Sequence, residues 1–380
     1  MVCSDEQGRQ RTGWSGGGRR AGIALIGAAV LALGAAALAT GATSKGYGTS
    51  LGSFKTHNLV SDQAGKADVM DKSLVNAWGL SFGTKPATPA WIADNGTDVS
   101  TLYQGDVGST PVSKVPLTVK IPGGAPTGTV FNGSKSFVVR AGAKHGPANF
   151  LFSSEAGKIT AWSQDVPPLT TAQTVASAHN AIFKGLAIAN TSKGPRLYAS
   201  DFHNNKVDVW DGNFMKVHKK GAFRDSKLPK GYAPFGIDTV NNDIVVSYAK
   251  QDAKAEDDVS GAGHGFVDLY SKGGKLLKRF ASRGALNSPW GIAMAPKGFG
   301  GASGDMLIGN FGDGKINVYD PASGTMVGTV SNNDGSSIVV PGLWALQFGN
   351  DLNSQPSNTL FYTAGPGDEL HGLYGRIDMN

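Results

Sequence analysis

The chain has 380 residues with 54 Gly, 18 Pro and 40% hydrophobic residues, a turn-rich globular composition, long enough for a sizeable core, in which disorder is not the default. Its 35 Lys+Arg against 29 Asp+Glu leave a net charge of +6, too weak and dispersed to argue for a nucleic-acid partner. The sole cysteine, Cys3, precedes the expected cleavage point, so the remaining chain has no disulfide, thiolate metal site or cysteine nucleophile.

Arg19 and Arg20 end a basic, Gly-rich lead, and Ala21 to Ala39 follow without a charge, closing on Ala37-Leu38-Ala39. That small-x-small pattern predicts an export signal over 1–39, cleaved before Thr40. An uncleaved anchor is the competing reading, since the run is nearly long enough to span a bilayer. The paired arginines hint at a twin-arginine route. Either way the folded part is expected outside the cytoplasm, secreted or extracellular, and cleavage leaves it with no membrane contact. Removing Arg9, Arg11, Arg19, Arg20, Asp5 and Glu6 leaves 31 basic against 27 acidic residues, a net +4.

Residues 40–52 read as a flexible Gly/Ser/Thr/Lys leader, and 53–380 as one domain. Phe54 to Val60 is a single strand without a nearby hairpin partner. Six repeats follow, starting at Trp78-Gly79-Leu80, Thr127-Gly128-Thr129, Lys184-Gly185-Leu186, Phe235-Gly236-Ile237, Trp290-Gly291-Ile292 and Trp344-Ala345-Leu346. Gly79 and Ala345 lie 266 positions apart over five intervals, a period of about 53. Such a period with four strands per repeat predicts an all-β, six-bladed β-propeller of four-stranded antiparallel blades, lengthened by loop insertions. The small residue lets innermost strands approach around the axis, and the preceding aromatic is expected to wedge between neighbouring blades.

Second strands are the most apolar: Ala90 to Ala93, Phe150 to Phe152, Leu197 to Ala199, Ile244 to Val246, Met306 to Ile308 and Leu360 to Tyr362, as fits strands covered on both faces. Polar turns and alternating third strands come next: KITAW from Lys158, KVDVW from Lys206, FVDLY from Phe266, KINVY from Lys315 and GLYGRID from Gly372. Leu276 to Phe280 and Met326 to Val330 are candidate outer strands. Since the chain ends just after a third strand, Phe54 to Val60 is predicted to supply the last outer strand and close the ring, a stray edge strand being the alternative.

The Gly-aliphatic repeats and Tyr/Trp-ending strands resemble NHL-type six-bladed propellers. The longer runs NLVSD, GAPTGTVFNGS, PANFLFSSEAGKITAW, GHGFVDLY, LNSPWGIA, GNFGDGKINVYDP, GLWALQFGN and TAGPGDELHGLYG are similar to an uncharacterised family of secreted bacterial propeller proteins, over nearly the whole chain after the signal. The resemblance implies fold and export and carries no established activity. Some relatives end in a surface-sorting segment; this chain stops at Asn380 without one, which favours release.

In a propeller the turns between second and third strands share one rim. That rim is expected to collect Asp94, Asn95, Glu155, Asp201, His203, Asn204, Asn310, Asp313, Asp368, Glu369 and His371. Glu155, Asp201, Asn310 and Asp313 are conceivable ligands of a divalent cation, oxygen-rich sets favouring Ca²⁺ or Mg²⁺ and added His a transition metal; His203, Asn204, Asp313, Glu369 and His371 are candidate binding residues. Turn chemistry alone explains Asp, Asn and Gly at such positions. Blade four carries a long loop, AKQDAKAEDDVSGAGHG, in which Asp252, Glu256, Asp257 and Asp258 precede His264. It is either functional or a solvated flap, and with Asp201 it supplies the catalytic candidates, Asp258 and His264. His145 could join them; His57, His179 and His218 read as local.

No HExxH, GxSxG, P-loop or EF-hand pattern is present. The first functional reading is therefore a monomeric binding module that takes a small-molecule, glycan or protein ligand on one rim, around a bound cation or without one. Trp78, Trp290 and Trp344 offer aromatic surface near the axis or simply pack between blades. The alternative is a metal-dependent hydrolase resembling six-bladed lactonases of the gluconolactonase and regucalcin group, an analogy of fold alone. A structural envelope or matrix protein is a third reading.

Overall fold

The computed structural model describes residues 51–108, 110–352 and 354–380; the expected export signal and all but the last two residues of the leader lie outside the described residues. Among the latter no helix is long and apolar enough to cross a membrane. The described residues form six blade sheets, antiparallel except that the two-residue strand Val69–Met70 pairs parallel to Phe54–Ser61, and one separate two-stranded hairpin. Blade one comprises Ala77–Ser81, Ala90–Asp94, Val99–Gln104 and Ser113–Lys120, and blade two Pro126–Phe131, Phe150–Ser154, Lys158–Trp162 and Gln173–Ser177. Blade three comprises Phe183–Thr191, Gly194–Asp201 and Lys206–Asp211, and blade four Tyr232–Val240, Asp243–Lys250, Gly265–Tyr270 and Leu276–Ser282. Blade five comprises Pro289–Met294, Met306–Asn310, Ile316–Tyr319 and Met326–Thr329, and blade six Leu343–Phe348, Leu360–Ala364 and Leu373–Met379 with Phe54–Ser61 as its outer strand. This is the expected six-bladed propeller, with the six repeat starts on the inner strands.

The inner glycines exist because backbone lies where a side chain would go. A Cβ at Gly79 would sit 2.5 Å from the Thr127 carbonyl oxygen of blade two, and one at Gly236 would sit 2.1 Å from that of Trp290 in blade five, well inside van der Waals contact. A second device, not anticipated from the sequence, links the same strands. Ser200 and Ser247, in the second strands of blades three and four, accept from the N–H of Gly185 and Gly236 at 2.7 and 2.9 Å. Each then donates to the next blade, to the Phe235 and Pro289 carbonyls, at 2.6 Å. Thr363 repeats the pattern from Ala345 N–H to the Trp78 carbonyl, joining blade six to blade one.

The ring closes as expected. Phe54–Ser61 runs antiparallel to Leu373–Met379, with Phe54 opposite Met379, Ser61 opposite Leu373 and a bulge between Asn58 and Val60. Tyr362 donates its hydroxyl to Asn58 Oδ1 at 2.8 Å, and Ser61 donates to the Gly372 carbonyl at 3.0 Å. Segments 312 (Ser61 to Leu373) to 325 (Phe54 to Met379) residues apart thus share one sheet, which covers the edge of Leu373–Met379.

Three details differ from expectation. Blade three has three strands rather than four; past Asp211 the chain makes only an isolated bridge, Trp210 to Lys216, and the lysine-rich stretch to Lys220 lacks the apolar alternation of an outer strand. A hairpin of Val138–Ala141 and Lys144–Pro147 is inserted between the first two strands of blade two. Leu51, assigned to the flexible leader, accepts a hydrogen bond from Gly301 N–H at 2.9 Å and packs against the core between blades five and six.

Candidate functional site

The chain enters its inner strands from one rim, called upper here, and the residue before each small inner residue sits at that rim. Around the ring these are Trp78, Thr127, Lys184, Phe235, Trp290 and Trp344. The aromatics were expected to wedge between neighbouring blades; Trp78 with Trp344 and Trp290 with Trp344 do join neighbouring blades, and the rings also meet across the axis. Trp78 stacks on Trp344 at 3.6 Å between ring centroids and meets Trp290, of non-adjacent blade five, edge-on at 6.2 Å. Phe235 lies 5.8 Å from Trp344. All four are buried, so they plug the axis rather than offer a surface, because large rings from converging strands find the most apolar contact there.

Lys184 stands where four of the other five blades carry an aromatic. Its side chain is 2% exposed, with Nζ 2.6 Å from Glu155 Oε1 and 2.9 Å from Asp257 Oδ1 and 5.3 Å from the centroid of the Trp78 ring. Burial alone would depress its pKa, yet the two carboxylates outweigh it and raise the ammonium above its ordinary value. The network continues around the rim. Asn95 Nδ2 donates to Glu155 Oε2 at 3.2 Å, and Asn76 Nδ2 donates to Asn95 Oδ1 at 3.2 Å and to Glu369 Oε2 at 2.7 Å. Trp344 Nε1 donates to Asn76 Oδ1 at 3.1 Å, tying the network to the plug. Burial pushes the Glu369 carboxyl up to about 7, with nearby Glu155 and Asp257 adding to the shift while Asn76 and Lys184 oppose it.

Asp257 comes from the long blade-four loop, which is anchored rather than loose. Gln251 Nε2 donates to the Phe202 carbonyl at 2.7 Å, His203 Nδ1 lies 3.2 Å from the Ala255 carbonyl, and Gly261 N–H donates to Asn287 Oδ1 at 2.7 Å. The loop therefore reaches blade three on one side and blade five on the other. Beside it, a groove of about 380 Å³ opens between blades five and six. Half-buried Phe311 lines it and stacks on Trp344 at 4.1 Å. Ser260, Asp313, Asp368 and several glycines complete its walls. Val259, Val339 and Leu370, 36%, 51% and 69% exposed, lie on upper-rim loops of blades four to six.

The expected site residues fall into two groups. Glu155, Asn95 and Glu369 join the Lys184 network. The others lie outside it: Asn204 donates to Asp201 at 2.9 Å, Asn310 to Asp313 at 3.0 Å, and His264 Nδ1 lies 2.7 Å from the Val259 carbonyl of its own loop, while His203 anchors the blade-four loop and Asp313 and Asp368 line the groove. His371 pairs with Asp62 at 2.9 Å beside the closing strand. Asp258 receives Ser260 Oγ at 3.2 Å, and burial raises its pKa. Asp94 is fully buried, with its pKa pushed well up by burial. His145 lies in the inserted hairpin, away from the upper rim. Glu155, Asp201 and Asp313 do not converge. Among the described residues, the group whose ligand atoms all lie within 4.8 Å is His57, Asp68 and Asp106, where Arg376 already contacts Asp106. The residues overlooked in the sequence are Lys184, Asn76 and Phe311. Lys184 alone carried a signal, a charged side chain at a repeat position otherwise aromatic or Thr.

No model of a known protein family matches the chain. An uncharacterised protein of Acanthamoeba polyphaga mimivirus is 31% identical over 340 residues, covering 86% of this chain and 80% of its own length. A second uncharacterised mimivirus protein is 29% identical over 343 residues, covering 86% of each chain. Among solved structures, a structural genomics protein of unknown function from Bacteroides thetaiotaomicron aligns with a TM-score of 0.50 at 10% identity, over 86% of this chain and 76% of that one; the likeness is one of fold. The two mimivirus relatives are viral and lend no support to the bacterial, secreted setting that the sequence resemblance implies.

Proposed function

The chain belongs to the family of these uncharacterised mimivirus proteins, and from that premise we propose that it is a binding module taking a carbohydrate in the upper-rim groove beside Phe311. The observation that carries this reading is the groove itself, about 380 Å³, within the range of roughly 300–1,000 Å³ of small-molecule sites. Phe311, backed by Trp344, offers a flat apolar face to the C–H side of a sugar ring. Asp313 and Asp368 supply acceptors for hydroxyls, and the glycine walls let a ligand approach main-chain groups. The proposal includes action outside the cell as a monomer.

A glycan array followed by tryptophan-emission titration tests it, because Phe311 stacks on Trp344 and a bound sugar perturbs that ring pair. The expected result is a saturable emission change with a hit glycan, abolished in Phe311→Ala. A folded protein that binds no glycan above background would sink the reading.

The second reading, a metal-dependent hydrolase of lactones, is favoured by one observation. Glu369, titrating near 7 beside Lys184, suits a general acid or base. Turnover of a lactone panel, lost with chelator and in Glu369→Gln, would support it; turnover indifferent to both would not.

A further inference from the structure

Blade three is the one blade without a fourth strand among the described residues, which leaves the first half of its third strand, Lys206–Asp211, with an open edge. The chain itself covers the far end: Asp211 N–H donates to the Met215 carbonyl at 2.9 Å and Val217 N–H to the Val209 carbonyl at 2.8 Å. Alternate residues of an antiparallel strand point their main-chain groups the same way. Val207, like Val209, therefore directs its N–H and C=O away from the second strand, and those of Val207 meet no hydrogen-bond partner among the described residues. Beside this edge lies a hollow of about 240 Å³, with Val207, Val209, Val217 and Phe223 as its apolar side.

The surroundings are strongly basic. The hollow adjoins a second, of about 610 Å³, with which it shares Arg196, Lys219 and Lys272. Together their walls carry six cations, Lys193, Arg196, Lys206, Lys216, Lys219 and Lys272, against the two carboxylates of Asp208 and Asp243. Asp208 is already held by Lys206 and Lys216, at 3.5 and 3.0 Å. Lys193, Arg196, Lys219 and Lys272 pair with no carboxylate among the described residues. Lysines along an edge keep off a second copy of the same chain by like charge, but they attract a strand of opposite charge. We propose that the open edge of blade three is a docking site for an acidic, extended segment of a partner protein, which adds to the blade as its fourth strand. Main-chain bonds to Val207 hold the segment, its alternate apolar side chains face Val207 and Val209, and its carboxylates reach the cationic walls. The site shares no residue with the groove beside Phe311 and is independent of the carbohydrate reading.

The probe is an array of peptides of about eight residues, within the usual range of strand lengths, in which Asp or Glu alternates with Val, Ile or Thr, titrated against the full chain by fluorescence anisotropy. Saturable binding that weakens as salt rises is expected. Lys193→Glu combined with Lys219→Glu, both exposed, should weaken it about tenfold or more. Val207→Pro removes the outward N–H, a change tolerated at a sheet edge, and should abolish binding. Methylating one of the two alternate sets of peptide amides should do the same while methylating the other spares binding, an arm that needs no variant to fold. No peptide bound above background would overturn the proposal. So would binding that the lysine variants weaken but Val207→Pro and amide methylation leave unchanged, or a sulfated polysaccharide bound by the Val207→Pro chain as tightly as the best peptide is by the parent, since charge alone then fills the groove.

Discussion

Lys184 is a cation 2% exposed at the mouth of a ring of aromatics, and charge balance keeps it there. Glu155 and Asp257 differ in what they contribute, since Glu155 is 29% and Asp257 75% exposed. Lys184→Met should cost about 2–4 kcal/mol in urea unfolding, because a partly buried carboxylate loses its partner. Asp257→Asn should cost under about 1 kcal/mol. Equal losses would mean that the loop, and not Glu155, holds the lysine. Glu369 sets a pH dependence. Its carboxyl titrates near 7 in the folded chain against a reference of 4.5, so between those values the folded state binds the extra proton. Stability from this group is complete below about pH 4.5 and is lost as pH rises through 7. The melting temperature of Glu369→Gln should therefore gain on that of the parent between pH 5 and 8, and parallel curves would rule this out.

At the scale of elements, the inner strands are spaced by what they lack. Gly236→Ala would drive a Cβ to 2.1 Å from the Trp290 carbonyl oxygen, and backbone cannot yield as the end of a side chain would. A loss of about 1–3 kcal/mol or more is expected in thermal or urea unfolding. Blade six already carries Ala345 at this position, so Ala345→Gly should change stability by under about 1 kcal/mol. A tolerated Gly236→Ala would show that the ring relaxes outward. The hydroxyls of Ser200, Ser247 and Thr363 reach across to blades four, five and one, so the inner strands of those three blades are fixed both by a missing side chain and by a bond from the neighbouring blade.

For the whole molecule the decisive contact is the closing strand, which joins Phe54–Ser61 to Leu373–Met379. Deleting residues 1–61 should leave the edge of blade six unpaired, and the truncated chain should melt lower and associate, read by light scattering. A monomer of unchanged melting temperature would mean that closure rests on the side-to-side packing of blades alone. Much of this architecture was legible in the sequence. The spacing of Gly79 to Ala345, the apolar second strands and the missing last outer strand follow from local pattern, and a last blade short of its outer strand made Phe54 to Val60 the candidate to complete it. The site was legible only in part. Glu155 and Glu369 stand out as rim carboxylates, but Asp201, Asn310 and Asp313, which look alike in sequence, bond within their own turns. Periodicity assigns a residue to a rim and a blade; which side chains meet across the axis depends on rotamers and ring closure. The sequence by itself determined six blades, their order and the closing strand, because local hydrogen bonding and burial repeat with the chain. Only the tertiary structure decided that Lys184 pairs with Glu155 and Asp257 and that three tryptophans plug the axis, because those contacts join residues far apart in sequence, some from blades that are not adjacent.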